Sequence, residues 1–208
     1  KIIGNETKSN LGSGGGIFAT TSSDATSFAA PLIEQNIFEG NVAGMNGGGL
    51  ALVTGDFVVR ANMFRGNRCR ADGGGIWLWS RGGDALIEHN EFWDNVAGDH
   101  GGGAYAGWRT GAGFFAIERN VFVRNQTVGV GFFGDTGSGG GVAALRMKGT
   151  LRSNTVVSND GRHLTDCGGG GVLLWETDES LSVTGNVIAQ NAQCGIACWD
   201  GTATMGPN

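Results

Sequence analysis

Asparagine recurs in pairs five positions apart along the whole chain: Asn5/Asn10, Asn36/Asn41, Asn62/Asn67, Asn90/Asn95, Asn120/Asn125, Asn154/Asn159 and Asn186/Asn191. After each of the first six pairs comes a glycine triplet and an apolar residue, at Ile17, Leu50, Ile76, Ala104, Val142 and Val172; the seventh pair keeps only "CGI", ending at Ile196. First asparagines stand 26 to 34 residues apart. A unit of that length is too short to close a core alone. It suits one turn of a solenoid, in which each turn packs on its neighbours.

Each unit holds three short strand-like runs. The run after the glycines alternates, so that Leu50/Leu52, Ile76/Leu78, Val142/Ala144 and Val172/Leu174 face one way and Trp77 and Trp79 the other. A second run puts Ile33, Val59, Ile87, Ile117, Leu151 and Val183 three positions before the first Asn of a pair. A third puts Phe38, Phe64, Phe92, Phe122, Val156 and Ile188 two positions after it. Rows of like residues, repeated from unit to unit, must share one interior. The expected fold is an all-β, right-handed parallel β-helix with about seven coils and three strands per coil, stacked about 4.8 Å apart. One β-helix domain should span residues 1–208 as part of a longer precursor, with insertions near 20–32 and 126–138.

At a corner the backbone leaves the sheet, and an inward asparagine can bond the orphaned peptide groups as well as the asparagines one coil above and below. Two ladders are therefore predicted, from Asn36, Asn62, Asn90, Asn120, Asn154 and Asn186, and from Asn41, Asn67, Asn95, Asn125, Asn159 and Asn191. The ladder role argues against glycosylation at Asn125, although "NQT" is a sequon. Glycine serves where φ is positive or where no Cβ fits.

Composition agrees and excludes alternatives. The 41 glycines are incompatible with a helical chain, and with only 2 prolines they are not collagen-like. A net charge of -5, with 14 Lys+Arg scattered among 19 acids, provides no basic groove for nucleic acid. No apolar run is long enough for a membrane span. The four cysteines lack zinc-ligand spacing. Cys167 and Cys194 precede the glycines of successive units, so a Cys167–Cys194 disulfide is expected to clamp the last coil, while Cys198 falls at an inward position. A disulfide implies an extracellular, cell-surface or periplasmic setting.

The "FEGN", "FRGN", "FWDN" and "FVRN" segments, alternating with Gly-Gly-Gly-apolar, resemble the FxxN and GGA[ILV] repeats of the chlamydial polymorphic outer-membrane proteins and related bacterial β-helix surface proteins. The third glycine replaces the family's usual alanine, and Thr7 stands where other coils have Phe or an aliphatic residue. The resemblance covers nearly all of the chain and implies a secreted or surface-displayed β-helix used in adhesion or assembly, with no catalytic residue and no cofactor.

The rival class is a polysaccharide lyase or glycoside hydrolase of the pectin-lyase-like kind. Its best candidate row lies two positions before the first asparagines: Glu34, Arg60, Glu88, Glu118, Arg152 and Thr184. Glu88 and Glu118 would stand about 5 Å apart, close enough to couple or to share a cation such as Ca²⁺. His89 could join them. A solvated charge ladder with Arg60 and Arg152 at its ends is the simpler account. Asp72, Asp99, His100 and Asp166 precede glycine triplets and read as polar corners or the edge of a cation site; no metal-ligand spacing accompanies them.

Aromatic residues mark the other face. Phe18, Trp77, Trp79, Tyr105, Leu173, Trp175 and Trp199 should project outward from one sheet, with Trp108 joining from the adjoining corner. Rigid aromatics are favoured at binding hot spots. This face is expected to contact a partner protein or glycan, unless an insertion such as the Phe132/Phe133 loop covers it.

Overall fold

A computed structural model of the chain describes residues 1–20, 31–80, 83–108, 113–129, 137–162, 167–177 and 180–208. Among these there is no helix; every regular element is a strand in a parallel ladder. One turn shows the plan. Met63–Arg65 lies between two asparagines, Arg68–Cys69 follows the second, Ile76–Ser80 follows the glycines, and Ala85–Glu88 precedes the next asparagine. Stacking of equivalent strands generates what we call the phenylalanine, corner, aromatic and carboxylate sheets. Three of them have seven strands and the corner sheet has five.

Two expectations are corrected here. The corner strands, such as Val42–Ala43 and Val96–Ala97, make four strands per turn rather than three. Five turns carry all four strands, and the turn at either end lacks the corner strand, so about seven coils becomes five complete ones. Thr20 and Leu32 belong to strands, Gln126–Thr127 pairs with Val96–Ala97, and Ser138 is back in register beside His100. The Phe132/Phe133 segment lies outside the described residues, as do most of residues 20–32.

The interior follows the predicted rows. Val59, Ile87, Ile117, Leu151 and Val183 are buried in register, as are the Leu50/Leu52 and Ile76/Leu78 positions and their equivalents. Phe38, Phe64, Phe92 and Phe122 form one continuous stack with centroids 4.6, 4.9 and 4.5 Å apart and planes within 8°. A buried Phe is worth about 3–5 kcal/mol against Ala, and stacking adds to that.

Both asparagine ladders are present, each one member longer than expected. In the first, the backbone N–H and the Nδ2 of Asn62 both donate to Asn90 Oδ1 (2.9 and 3.0 Å), and Asn62 Nδ2 also donates to the carbonyls of Ile33 and Arg60. The row runs from Asn36 to Asn186 and ends on Asn208. The second runs from Asn41 to Asn191 and begins at Asn5, which donates to Asn41 Oδ1. Asn5 is thus the second asparagine of its turn, not the first. Ile2 pairs with Phe38, so Ile2 occupies the Phe position and Thr7 is no exception to the pattern.

Just before each ladder residue except Asn208, which follows Pro207, the chain passes through the left-handed region. Gln35, Ala61, His89, Arg119 and Ser153 have φ between 53 and 56°, and Gly185 has 64°. A left-handed residue with a Cβ costs roughly 1–2 kcal/mol, part of which glycine returns as chain entropy. Ala61 is exposed at such a corner. Replacing it by Gly is therefore expected to raise stability by about 1 kcal/mol, or Tm by about 2–4 °C. Thermal melts of the two proteins check this; an unchanged or lower Tm would contradict it.

The predicted Cys167–Cys194 disulfide is formed, with a Cα–Cα distance of 5.7 Å. Cys198 is corrected. It stands in register with the inward Leu174, yet it is exposed, because its strand is the last of the aromatic sheet among the described residues.

Candidate functional site

The carboxylate sheet aligns Glu34, Arg60, Glu88, Glu118, Arg152 and Thr184 in one row, as the spacing predicts. Its chemistry is that of ion pairing. Arg60 bonds Glu34 at 2.8 Å, and Arg119 reaches both Glu88 (3.3 Å) and Glu118 (3.6 Å). Arg152 and Thr150 Oγ1 donate to Glu118 at 2.8 and 2.7 Å. Burial alone would raise the Glu118 pKa. The Arg152 and Thr150 hydrogen bonds and the charges of Arg152 and Arg119 outweigh it and hold the carboxyl below its ordinary value. A general acid needs the opposite shift. His89 sits at an exposed corner, its Nδ1 3.5 Å from Glu88 Oε2. Each carboxylate of the row thus has an arginine within 4 Å.

A third polar row, only partly foreseen, lies where the corner sheet meets the aromatic sheet. It consists of the residues directly before the glycine triplets. Asn46 N–H donates to Ser13 Oγ (3.4 Å), Asp72 N–H to Asn46 Oδ1 (3.1 Å) and His100 N–H to Asp72 Oδ1 (3.1 Å). His100 Nδ1 lies 3.0 Å from the same Asp72 oxygen, and the His100 ring packs 5.5 Å from Trp175. Asp72 and His100 therefore serve the corner; Asp166 lies outside the described residues. Among the described residues no group of three His, Cys, Asp or Glu side chains could hold a metal ion.

On the aromatic sheet two rows face away from the interior. Phe18, Ala51, Trp77, Tyr105, Ala143, Leu173 and Ala197 form one; Thr20, Val53, Trp79, Gly107, Leu145, Trp175 and Trp199 form the other. Trp77 stacks on Trp79 at 6.0 Å, Trp79 on Tyr105 at 6.4 Å, and Trp175 meets Trp199 edge-on at 6.1 Å. This is a second, outer apolar cluster.

These residues project outward as expected, but two of them are not exposed. Tyr105 is only 4 % exposed and Leu173 only 1 %, while Trp77, Trp79, Trp175 and Trp199 are half-buried. Gly107 supplies one reason. A Cβ there would stand 3.1 Å from Tyr105 Cε1 and 3.2 Å from its hydroxyl, so the missing side chain lets the tyrosine lie down on the sheet against Trp79. Burial, and then the charge of Asp72, pushes the phenol well above its ordinary pKa. Trp108 ends its strand beside Ser80, and its side chain lies outside the described residues.

The face opens at the Phe18 end. Phe18 is 50 % exposed, and between it and Trp77 lies an open groove of about 670 Å³ lined by Leu11, Ser13, Phe18, Met45, Asn46, Val53 and Trp77. Ala51 separates the two aromatic positions by one strand, which is why the gap exists. Nothing in the sequence period marks this groove, because it depends on which outward residue is small.

No helix among the described residues is long and apolar enough to cross a membrane. No curated protein and no solved structure matches the chain. A family model described as the right handed beta helix region does, over residues 1–188, in keeping with the stacked parallel strands and the ladders. On that match and this architecture, the chain belongs to the right-handed β-helix family.

Proposed function

We propose that this β-helix is a non-catalytic binding or assembly module that contacts a partner protein or glycan through the Phe18–Trp79 end of its aromatic sheet, in an extracellular, cell-surface or periplasmic setting. One observation carries the reading: the aromatic residues of this sheet lie outside the solenoid, so that none of them fills the interior, and two of them, Phe18 and Trp77, line an open groove. The outer cluster gives part of this surface a stabilising role, but Phe18 stays half-exposed and Trp77 is only half-buried, as suits a contact surface. The disulfide supports the oxidising compartment. Passenger-type β-helices resembling this repeat serve adhesion or assembly, which fits the same reading. The neutralised carboxylate row gives the lyase or hydrolase alternative no comparable support, and the module needs no cofactor.

The test is the Trp77→Ala/Trp79→Ala double variant, with the purified chain and the variant each applied to glycan and peptide arrays. Both indoles are half-buried against the outer cluster, so Tm is expected to fall by about 6–12 °C while the far-UV β signal stays. Binding should drop at least about tenfold. Unchanged binding, or a variant without folded structure, would refute the reading. So would turnover of an acidic polysaccharide, with or without Ca²⁺, that Glu88→Gln or Glu118→Gln abolishes.

A further inference from the structure

The second glycine of each triplet has a fixed role in the stack, because a Cβ there would run into the main chain of the turn that follows. At Gly48 it would meet Arg68 and Gly74, at Gly102 Gln126 and Gly140, and at Gly170 Ala192, in each case at backbone atoms. The next member of this row is Cys194, whose carbonyl accepts from Gly171 N–H as that of Gly170 accepts from Gly141 N–H. A side chain at that position takes the place where the main chain of a further turn would pass. The turn that carries Cys194 is therefore the outermost one that this repeat can build.

This outermost turn is weakly held. Of residues 187–208 only Ala197 is buried, whereas the turn before it buries Val156, Val172, Leu174, Leu181 and Val183. Asn191 and Asn208 accept from Asn159 and Asn186, and Gln193 Oε1 accepts from Gly168 N–H. Turns at the end of a solenoid open at lower free energy than those inside it. The covalent tether is the Cys167–Cys194 disulfide, and it is within reach of solvent, since Cys167 is exposed and Cys194 half-buried. The same turn closes one end of the outer aromatic cluster. Ala197 stacks on Leu173, Trp199 meets Trp175 edge-on at 6.1 Å, and Cys194 packs against the cluster as well. Leu173 projects outward yet is only 1 % exposed.

From the accessible bridge, the weakly buried turn and the aromatic residues beneath it, we propose that the Cys167–Cys194 disulfide is a redox latch. Closed, it holds residues 187–208 on the stack. Opened by a dithiol, it lets that turn leave and uncovers Leu173 and Trp175, at the opposite end of the sheet from Phe18. The electrons come from the dithiol, free or carried by an oxidoreductase. One of its thiolates attacks the exposed Cys167 Sγ, which breaks the bridge and expels the Cys194 thiolate. Its second thiol then displaces the Cys167 sulfur and closes the reductant's own disulfide. Two electrons and two protons pass to the protein, leaving Cys167 and Cys194 as thiols.

Hydrogen exchange of the full chain, oxidised and in dithiothreitol, tests the latch, with alkylation and mass mapping to show that the bridge has opened. On reduction, the amides of Val187–Ala189, Ile196–Trp199 and Thr204–Met205 should exchange at least about tenfold faster, while those of Phe57–Arg60 and Phe115–Glu118 keep their rates. Tryptophan emission should shift to the red as Trp175 and Trp199 separate. A Cys167→Ser/Cys194→Ser variant should show the fast rates with and without dithiothreitol; should it fail to fold, the reduced parent still decides. Unchanged protection of the three strands in protein whose bridge is open would overturn the latch. So would a loss of protection spread evenly over all turns, which would make the bridge a staple of the whole solenoid, and so would a bridge that dithiothreitol leaves intact in the folded chain.

Discussion

Replacing Gly74 by Ala is expected to destabilise the protein by at least about 4 kcal/mol, a loss of roughly 8–16 °C in Tm for a chain of this size. The three glycines of "GGGI" do different things. Gly73 has φ of +73°, so it turns the chain. Gly74 and Gly75 give up their side chains because the next coil's backbone occupies that space. A Cβ on Gly74 would stand 2.7 Å from both the N and the C of Val96, and closer still to the carbonyl oxygen of Gly102. Those neighbours are all main chain, held in the corner sheet and in the next triplet, so no rotamer change can relieve the overlap. On Gly75 the added atom would meet Phe92 Cδ1 at 3.0 Å, which shows the third glycine making room for the phenylalanine stack. Gly66 is the control. Its φ is also positive, but nothing lies within 4 Å of its Cβ position, and the equivalent residues in the next turns are Asp94 and Arg124. Gly66→Asp should therefore stay within about 1 kcal/mol of the parent. Chemical denaturation of the three proteins checks the contrast; a Gly74→Ala variant as stable as Gly66→Asp would show that the coils are not packed this closely.

Those glycines also show why much of the fold was readable from sequence and part of the site was not. An interior row is constrained identically in every turn, so Phe38, Phe64, Phe92 and Phe122, or Val59, Ile87 and Ile117, repeat visibly. The carboxylate row repeats its position although its chemistry varies, which is why its register could be predicted while its ion pairing required side-chain geometry. In the first turn Asn5 and Asn10 happen to stand five apart, which mimics a ladder pair; the pairing of Ile2 with Phe38 and the Asn5–Asn41 bonds show Asn5 to be a second-ladder residue. Asn208 did carry a signal, since Met205 precedes it by three as Val183 precedes Asn186. A corner strand two residues long leaves no alternation to detect. The burial of Tyr105 is not legible in the sequence, because alternation tells which side of a sheet a residue leaves from, not how far it then lies down. The vacancy at Gly107 decided that, and the groove at Phe18 likewise depends on Ala51 being small.

Asn95→Ala is the complementary test, because it removes bonds where Gly74→Ala adds bulk. Asn95 is 0 % exposed, and its Oδ1 accepts from both the backbone N–H and the Nδ2 of Asn67, at 3.0 and 2.9 Å. Its own Nδ2 donates to the Phe64 carbonyl and to Asn125 Oδ1, each at 2.9 Å. Truncation leaves the Asn67 backbone N–H and one of its two Nδ2 hydrogens without an acceptor, the other staying on the Phe38 carbonyl, and the Phe64 carbonyl without that donor, in a buried place. Each buried group so stranded costs about 1–3 kcal/mol, so the total should be about 4 kcal/mol or more. Asn208→Ala, at the end of the other ladder, exposes its loss to solvent and should cost no more than about 1 kcal/mol. Hydrogen exchange separates the ladder from generic destabilisation. Stability in a solenoid is carried between nearest neighbours, so amide protection should fall most at Asn67 and Asn95 and in the strands Met63–Arg65 and Glu91–Trp93, and less in turns farther along the stack. If Asn95→Ala and Asn208→Ala were equally mild, the ladders would be a consequence of corner geometry rather than one of its supports, and the invariant spacing of the asparagine pairs would need another explanation.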